Sequence, residues 1–181
     1  MSLLVISCSL HPQSRSRVLA KAAIARLEEI GAGAQFIDLR DYPLPLCDGA
    51  EAYADQNAQL LGRYIAEADG VFIACPVYNY NVSASLKNLI ELTGQCWCDK
   101  VVGIVCAAGG YASYMAHMSI VNSLMLDFRC VIVPRFVHSG ELDVSDDSIV
   151  SGETQIRLDE TVTLFARMAR ALNPVSESAQ P

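Results

Sequence analysis

Apolar positions fall into five short runs along this chain, separated by stretches in which they recur every three or four residues. The runs are Leu3 to Cys8, Gln35 to Leu39, Val71 to Cys75, Lys100 to Ala107 and Cys130 to Val133, and they read as buried strands. The third is uncharged and is expected at the centre of a sheet. The intervening pattern predicts helices at about Ser14 to Ile30, Gln56 to Ala68, Ala84 to Leu92, Tyr111 to Leu126 and Thr154 to Leu172. In the first, Leu19, Ala23, Leu27 and Ile30 share a face, and Gly31-Ala32-Gly33 ends it as a C-cap and turn. The fourth is unusual. It has no Lys, Arg, Asp or Glu before Asp127, and Tyr114, Met115, Met118, Val121, Leu124 and Met125 make it apolar on more than one side. A second copy of the chain is the expected cover, so a homodimer or homotetramer follows.

Strands alternating with helices predict an α/β fold, a three-layer sandwich around a five-stranded parallel sheet in the order 2-1-3-4-5. Arg40 to Asp55 and the acidic stretch Ser139 to Gly152 read as loops. Residues 175–181 read as a disordered tail, which leaves one domain over 1–174 with no linker inside it. In such sheets ligands sit beyond the carboxyl ends of the strands. The order 2-1-3-4-5 brings three loops together there, those after the first, third and fourth strands.

Composition narrows the ligand. The 181 residues carry a formal net charge of -7 and no basic run, which argues against nucleic acid and anionic membrane as partners. An anionic ligand therefore needs a local clamp. The leading apolar run stops at Cys8, too short for a signal peptide or a spanning helix. With seven scattered cysteines, an odd number, this places the chain in a reducing cytoplasm. Cys96-Trp97-Cys98 lacks the spacing and the companions of a zinc site, and no metal is expected.

The first loop, Ser9-Leu10-His11-Pro12-Gln13-Ser14-Arg15-Ser16-Arg17, offers hydroxyls and arginines at the start of a helix, where free N–H groups favour a phosphate. The second, Pro76-Val77-Tyr78-Asn79-Tyr80-Asn81, offers a ring to stack on a planar ligand and an amide for a heterocycle edge. In the third, Gly109 and Gly110 let backbone amides approach closely. Together these describe a site for a phosphorylated planar heterocycle, and FMN fits. Taken singly, each has a plainer account: Ser14 or Ser16 as a helix cap, Tyr78 and Tyr80 as half-buried tyrosines, and the glycine pair as a turn.

At these motifs the sequence resembles the NAD(P)H-dependent FMN reductases of the flavodoxin-like superfamily, over roughly Leu3 to Val133. Pro76-Val77-Tyr78-Asn79 followed by Ser85-Leu86-Lys87-Asn88-Leu89-Ile90-Glu91 is its most specific part. The resemblance implies that Ser9, Ser14, Arg15 and Ser16 hold the FMN phosphate, and His11 in the same loop is a separate candidate for it. Pro76, Val77, Tyr78 and Asn79 would meet the ribityl chain and ring, and Gly109 and Gly110 the ring's polar edge. His11 stands where the family commonly has arginine, and Cys8 where it has glycine, which leaves compensation to Arg15 or Arg17. The implied activity carries electrons from NADPH or NADH through FMN to a small-molecule flavin, quinone or azo acceptor, with no catalytic side chain. The alternatives are a flavodoxin-type electron carrier without nicotinamide activity and a cofactor-free binding module. His117 reads as a packed or interface residue, and His138 as loop surface.

Overall fold

A computed structural model of the chain describes residues 1–173; the tail for which the sequence predicts disorder lies outside them. Five helices flank one sheet: α1 (Arg15–Glu29), α2 (Gln56–Glu67), α3 (Ala84–Thr93), α4 (Met118–Phe128) and α5 (Gly152–Leu172). The strands are β1 (Leu3–Ser7), β2 (Ala34–Asp38), β3 (Gly70–Tyr78), β4 (Asn81–Val82), β5 (Val101–Ala107), β6 (Val131–Ile132) and β7 (Val137–Ser139). The sheet runs β2-β1-β3-β5-β6 in parallel, so the expected order holds with the two-residue β4 folded back antiparallel on β3.

The fifth sheet position differs from the single strand expected at Cys130 to Val133. Its place beside β5 is taken first by β6, then by β7, where Cys106 pairs with His138 and Ala107 with Ser139. Pro134 lies between the two. A proline has no N–H for the ladder, so the strand breaks there and re-forms three residues later. His138 is thus a half-buried residue on a strand and not loop surface.

Alternate residues of the strands feed two cores. Leu4, Ile6, Ile73, Ile104 and Cys106 pack under α2, α3 and α4, while Leu3, Val5, Phe72, Val101 and Val105 pack under α1 and α5. Four helices begin on a side-chain cap: Ser14, Asp55, Ser83 and Ser151 each accept from a backbone N–H of the first turn. Each such cap contributes about 1 kcal/mol. The fourth helix starts seven residues later than the apolar pattern suggests. Residues 111–117 form turns because Tyr111 is drawn onto the β7 side, where its hydroxyl donates to Asp143 Oδ1 at 2.8 Å. His117 is buried at the start of α4 with its ring 3.9 Å from that of Phe136, as a packed residue should be.

Candidate functional site

Register sets the site. Ser7, Ala74 and Val105 are neighbours across β1, β3 and β5, so the loops that leave these three strands emerge side by side. They enclose a cleft of about 340 Å³, in the range of small-molecule sites. Ser9, His11, Gln13, Ser14, Arg15 and Ser16 line it from the first loop, Pro76, Val77 and Tyr78 from the second, and Ala107, Ala108 and Gly109 from the third. Nine of the eleven residues picked from the sequence therefore share one cleft. Asn79 and Gly110 are outside its lining. Asn79 is at the tip of the β3–β4 hairpin, where it and Tyr80 have φ of +50° and +64°. A two-residue hairpin turn needs positive φ at both positions, which asparagine tolerates and tyrosine adopts at a cost of about 1 kcal/mol.

The first loop is built around Arg17. Its side chain is turned inward and buried, with Nε 2.5 Å from Asp38 Oδ2 at the end of β2. Its two terminal nitrogens donate to the carbonyls of Ser9, His11 and Pro12 at 3.0–3.2 Å. Burial alone would raise the Asp38 carboxyl, but hydrogen bonds from Arg17 and Arg40 outweigh it and hold its pKa below the ordinary value. Arg17 is thus spent on shaping the loop and neutralised by Asp38. With Arg17 so paired, the other arginine from which compensation is expected is Arg15. Its Nη1 is buried at the cleft without a hydrogen-bond partner among the described residues.

The other polar groups of the loop order one another. Ser9 Oγ accepts from the His11 N–H, and His11 Nδ1 accepts from the Gln13 N–H at 3.1 Å. In a neutral imidazole that leaves the proton on Nε2. Ser14 and Ser16 hydroxyls lie 2.9 Å apart, and Ser14 also caps α1 by accepting from the Arg17 N–H. The capping reading and the ligand reading of Ser14 are therefore compatible. From the far side, Ser85 Oγ donates to the Cys8 carbonyl at 2.5 Å and ties α3 to the base of the loop.

The third loop is docked on β7. Ala108 N–H donates to the Ser139 carbonyl at 2.9 Å, and His138 Nε2 lies 3.1 Å from the Gly110 carbonyl. A Cβ added at Gly109 or Gly110 would meet no atom within 4 Å among the described residues, so the space beside both is open. Gln13, Ala107 and Ala108 line the cleft but carry no signature by which the sequence marks them. Asp38 did have a signal, as the one acid in the apolar run Gln35 to Leu39.

Comparison with known proteins places this geometry in a family. The family described as NADPH-dependent FMN reductase matches residues 1–142. An NAD(P)H-dependent FAD/FMN reductase of Geobacillus thermodenitrificans is 28% identical over 107 residues, and the match spans 58% of each chain. An NAD(P)H:quinone oxidoreductase of Solanum tuberosum is 27% identical over 185 residues, 91% of this chain and 89% of that one. Among solved structures, the flavoenzyme NAD(P)H:(acceptor) oxidoreductase FerB of Paracoccus denitrificans superposes with a TM-score of 0.77 at 21% identity, covering 94% of this chain and 97% of that one. The chain belongs to the NADPH-dependent FMN reductase family and has a flavodoxin-like fold.

Proposed function

We propose that the protein is an NAD(P)H-dependent oxidoreductase of the FMN reductase type, passing electrons from a nicotinamide through bound FMN to a flavin, quinone or azo acceptor. The observation that carries this is the cleft itself. An Arg15 nitrogen that is buried and has no partner among the described residues, three hydroxyls and the N-terminus of α1 meet there, beside an aromatic side chain and the open Gly109. In this reading Ser9, Ser14, Arg15 and Ser16 hold the phosphate, with the free Nε2–H of His11 as a further donor. Pro76, Val77 and Tyr78 wall the ring and ribityl chain, Asn79 reaches the ring from the hairpin tip, and Gly109 and Gly110 meet its polar edge.

When bound, FMN supplies the hydride acceptor and donor of the reaction. The work of the protein is then to bind, orient and limit access. Arg17 keeps three loop carbonyls turned inward, away from an anionic ligand, which removes a source of repulsion without adding a competing charge. No side chain in the cleft is assigned acid–base work, and none is called catalytic.

Two further features belong to this reading. Met118, Met125 and Leu126 of α4 are exposed in the single chain, and a second copy is the proposed cover, giving a homodimer or a homotetramer. No helix among the described residues is long and apolar enough to cross a membrane, and the cytoplasm is the proposed compartment. The test of function is anaerobic titration of the FMN-loaded protein with NADPH and with NADH. Loss of the flavin absorption with at least one supports the enzyme. A flavin that neither nucleotide reduces makes the protein an electron carrier instead.

A further inference from the structure

Gly109, which lines the cleft, and Gly110 next to it form a permissive pair, since neither has a side chain and nothing among the described residues packs where one would be. A ligand edge needs donors and acceptors at fixed positions, so something outside the pair must hold it. Four contacts do so, all to the segment beginning at β7. The Ser139 carbonyl takes the N–H of Ala108 on one side of the pair. On the other side the Tyr111 ring lies on Gly140, so closely that a Cβ there would fall 2.7 Å from Cζ of the ring. Its hydroxyl donates to Asp143 Oδ1, whose Oδ2 accepts from the Gly140 N–H at 2.7 Å. Between these anchors, one side chain reaches the glycine pair itself. His138 Nε2 is 3.1 Å from the Gly110 carbonyl.

We propose that His138 is a positioning residue for the flavin: its Nε2–H fixes the Gly110 carbonyl and so sets the peptide group that the third loop presents to the ring's polar edge. This rests on the FMN reading above. A carbonyl only accepts, so Nε2 must carry the proton. The peptide is trans, and its N–H and C=O point opposite ways. Holding the carbonyl of Gly110 on His138 therefore directs the N–H of Tyr111 away from His138. The ring also packs edge-on against Tyr114, with centroids 5.8 Å apart. Packing alone does not call for histidine. Nδ1 is buried with no partner among the described residues, a cost that a phenylalanine of similar shape would not carry. The donor on the other nitrogen is what the imidazole adds.

The test uses His138→Phe, which keeps a ring against Tyr114, and His138→Gln, which returns an N–H donor. In wild type, ¹⁵N spectra of the cofactor-free protein at neutral pH are expected to give His138 as the Nε2–H tautomer. His138→Phe is expected to melt within a few degrees of wild type and to bind FMN about tenfold more weakly, the value of one hydrogen bond. Lumiflavin, which has the ring without the phosphate, should lose affinity by the same factor, because the defect lies at the ring edge. His138→Gln should recover part of the loss for both. An Nδ1–H tautomer, or a His138→Phe protein that binds both flavins as wild type does, overturns the assignment. So does a loss seen with FMN and not with lumiflavin, or one that His138→Gln leaves unrepaired. A wild-type protein that takes up no FMN would defeat the cofactor reading, and the tautomer would still decide whether His138 holds the loop.

Discussion

At the scale of single residues, the pair Arg17–Asp38 carries the most weight. Both are buried, and removing one charge strands the other. Asp38→Asn is expected to destabilise the protein by about 3–5 kcal/mol at neutral pH, measured by urea unfolding. The pH dependence follows from the depressed pKa of Asp38. A carboxyl held below its unfolded value stabilises the fold above about pH 4 and loses that contribution as pH falls through its folded pKa. The gap between wild type and Asp38→Asn should therefore narrow in acid. A gap of equal size at pH 7 and pH 3 would contradict the pairing. The thiols give a second check at this scale. Burial pushes Cys8 up and takes Cys130 to about 11, while Cys75 is raised by its hydrogen bond to Cys106 and by burial. Iodoacetamide at pH 8 should label the half-buried Cys47 and Cys98 in the folded protein and spare Cys8, Cys75 and Cys130.

At the scale of elements, the strands and their loops were legible because each strand is an apolar run of buried length and each site loop has distinctive residues next to one. What escaped was decided by contacts far along the chain. Arg17 reads as a positive charge open to compensate for His11 until Asp38, 21 residues away, is seen to hold it inward. Residues 111–117 read as helix because nothing local shows that Gly140 and Asp143 will capture Tyr111. His138 reads as surface because the re-forming of the fifth strand beyond Pro134 depends on pairing with β5. The open glycine pair yields an element-level prediction. Gly109 has no steric need to be glycine within the protein, so Gly109→Ala should leave the melting temperature within a few degrees of wild type. If the third loop lies against the flavin, the added methyl should weaken FMN binding about tenfold. Unchanged FMN affinity would move the cofactor off this loop.

At the scale of the whole molecule, the apolar excess of α4 is the feature a single chain leaves unexplained. Ile120, Val121, Leu124 and Phe128 face the core, and Leu126, 77% exposed, does not. Sedimentation is expected to give a dimer or larger, and Leu126→Glu to shift it towards monomer by placing a charge in the proposed interface. A wild-type monomer at micromolar concentration would leave that face without its proposed cover.

The account depends most on a phosphate held where Ser9, Ser14, Arg15 and Ser16 meet the start of α1. FMN and riboflavin differ only by that phosphate, so equilibrium titration of the cofactor-free protein with each is the most direct measurement. Two or more charge-assisted hydrogen bonds predict FMN binding about 100-fold tighter than riboflavin. Arg15→Gln and Ser14→Ala should shrink the ratio, and Ser145→Ala, whose hydroxyl is engaged with Asp147 and Ser148 elsewhere, should not. Equal affinity for the two flavins, or a ratio that Arg15→Gln leaves intact, would contradict it.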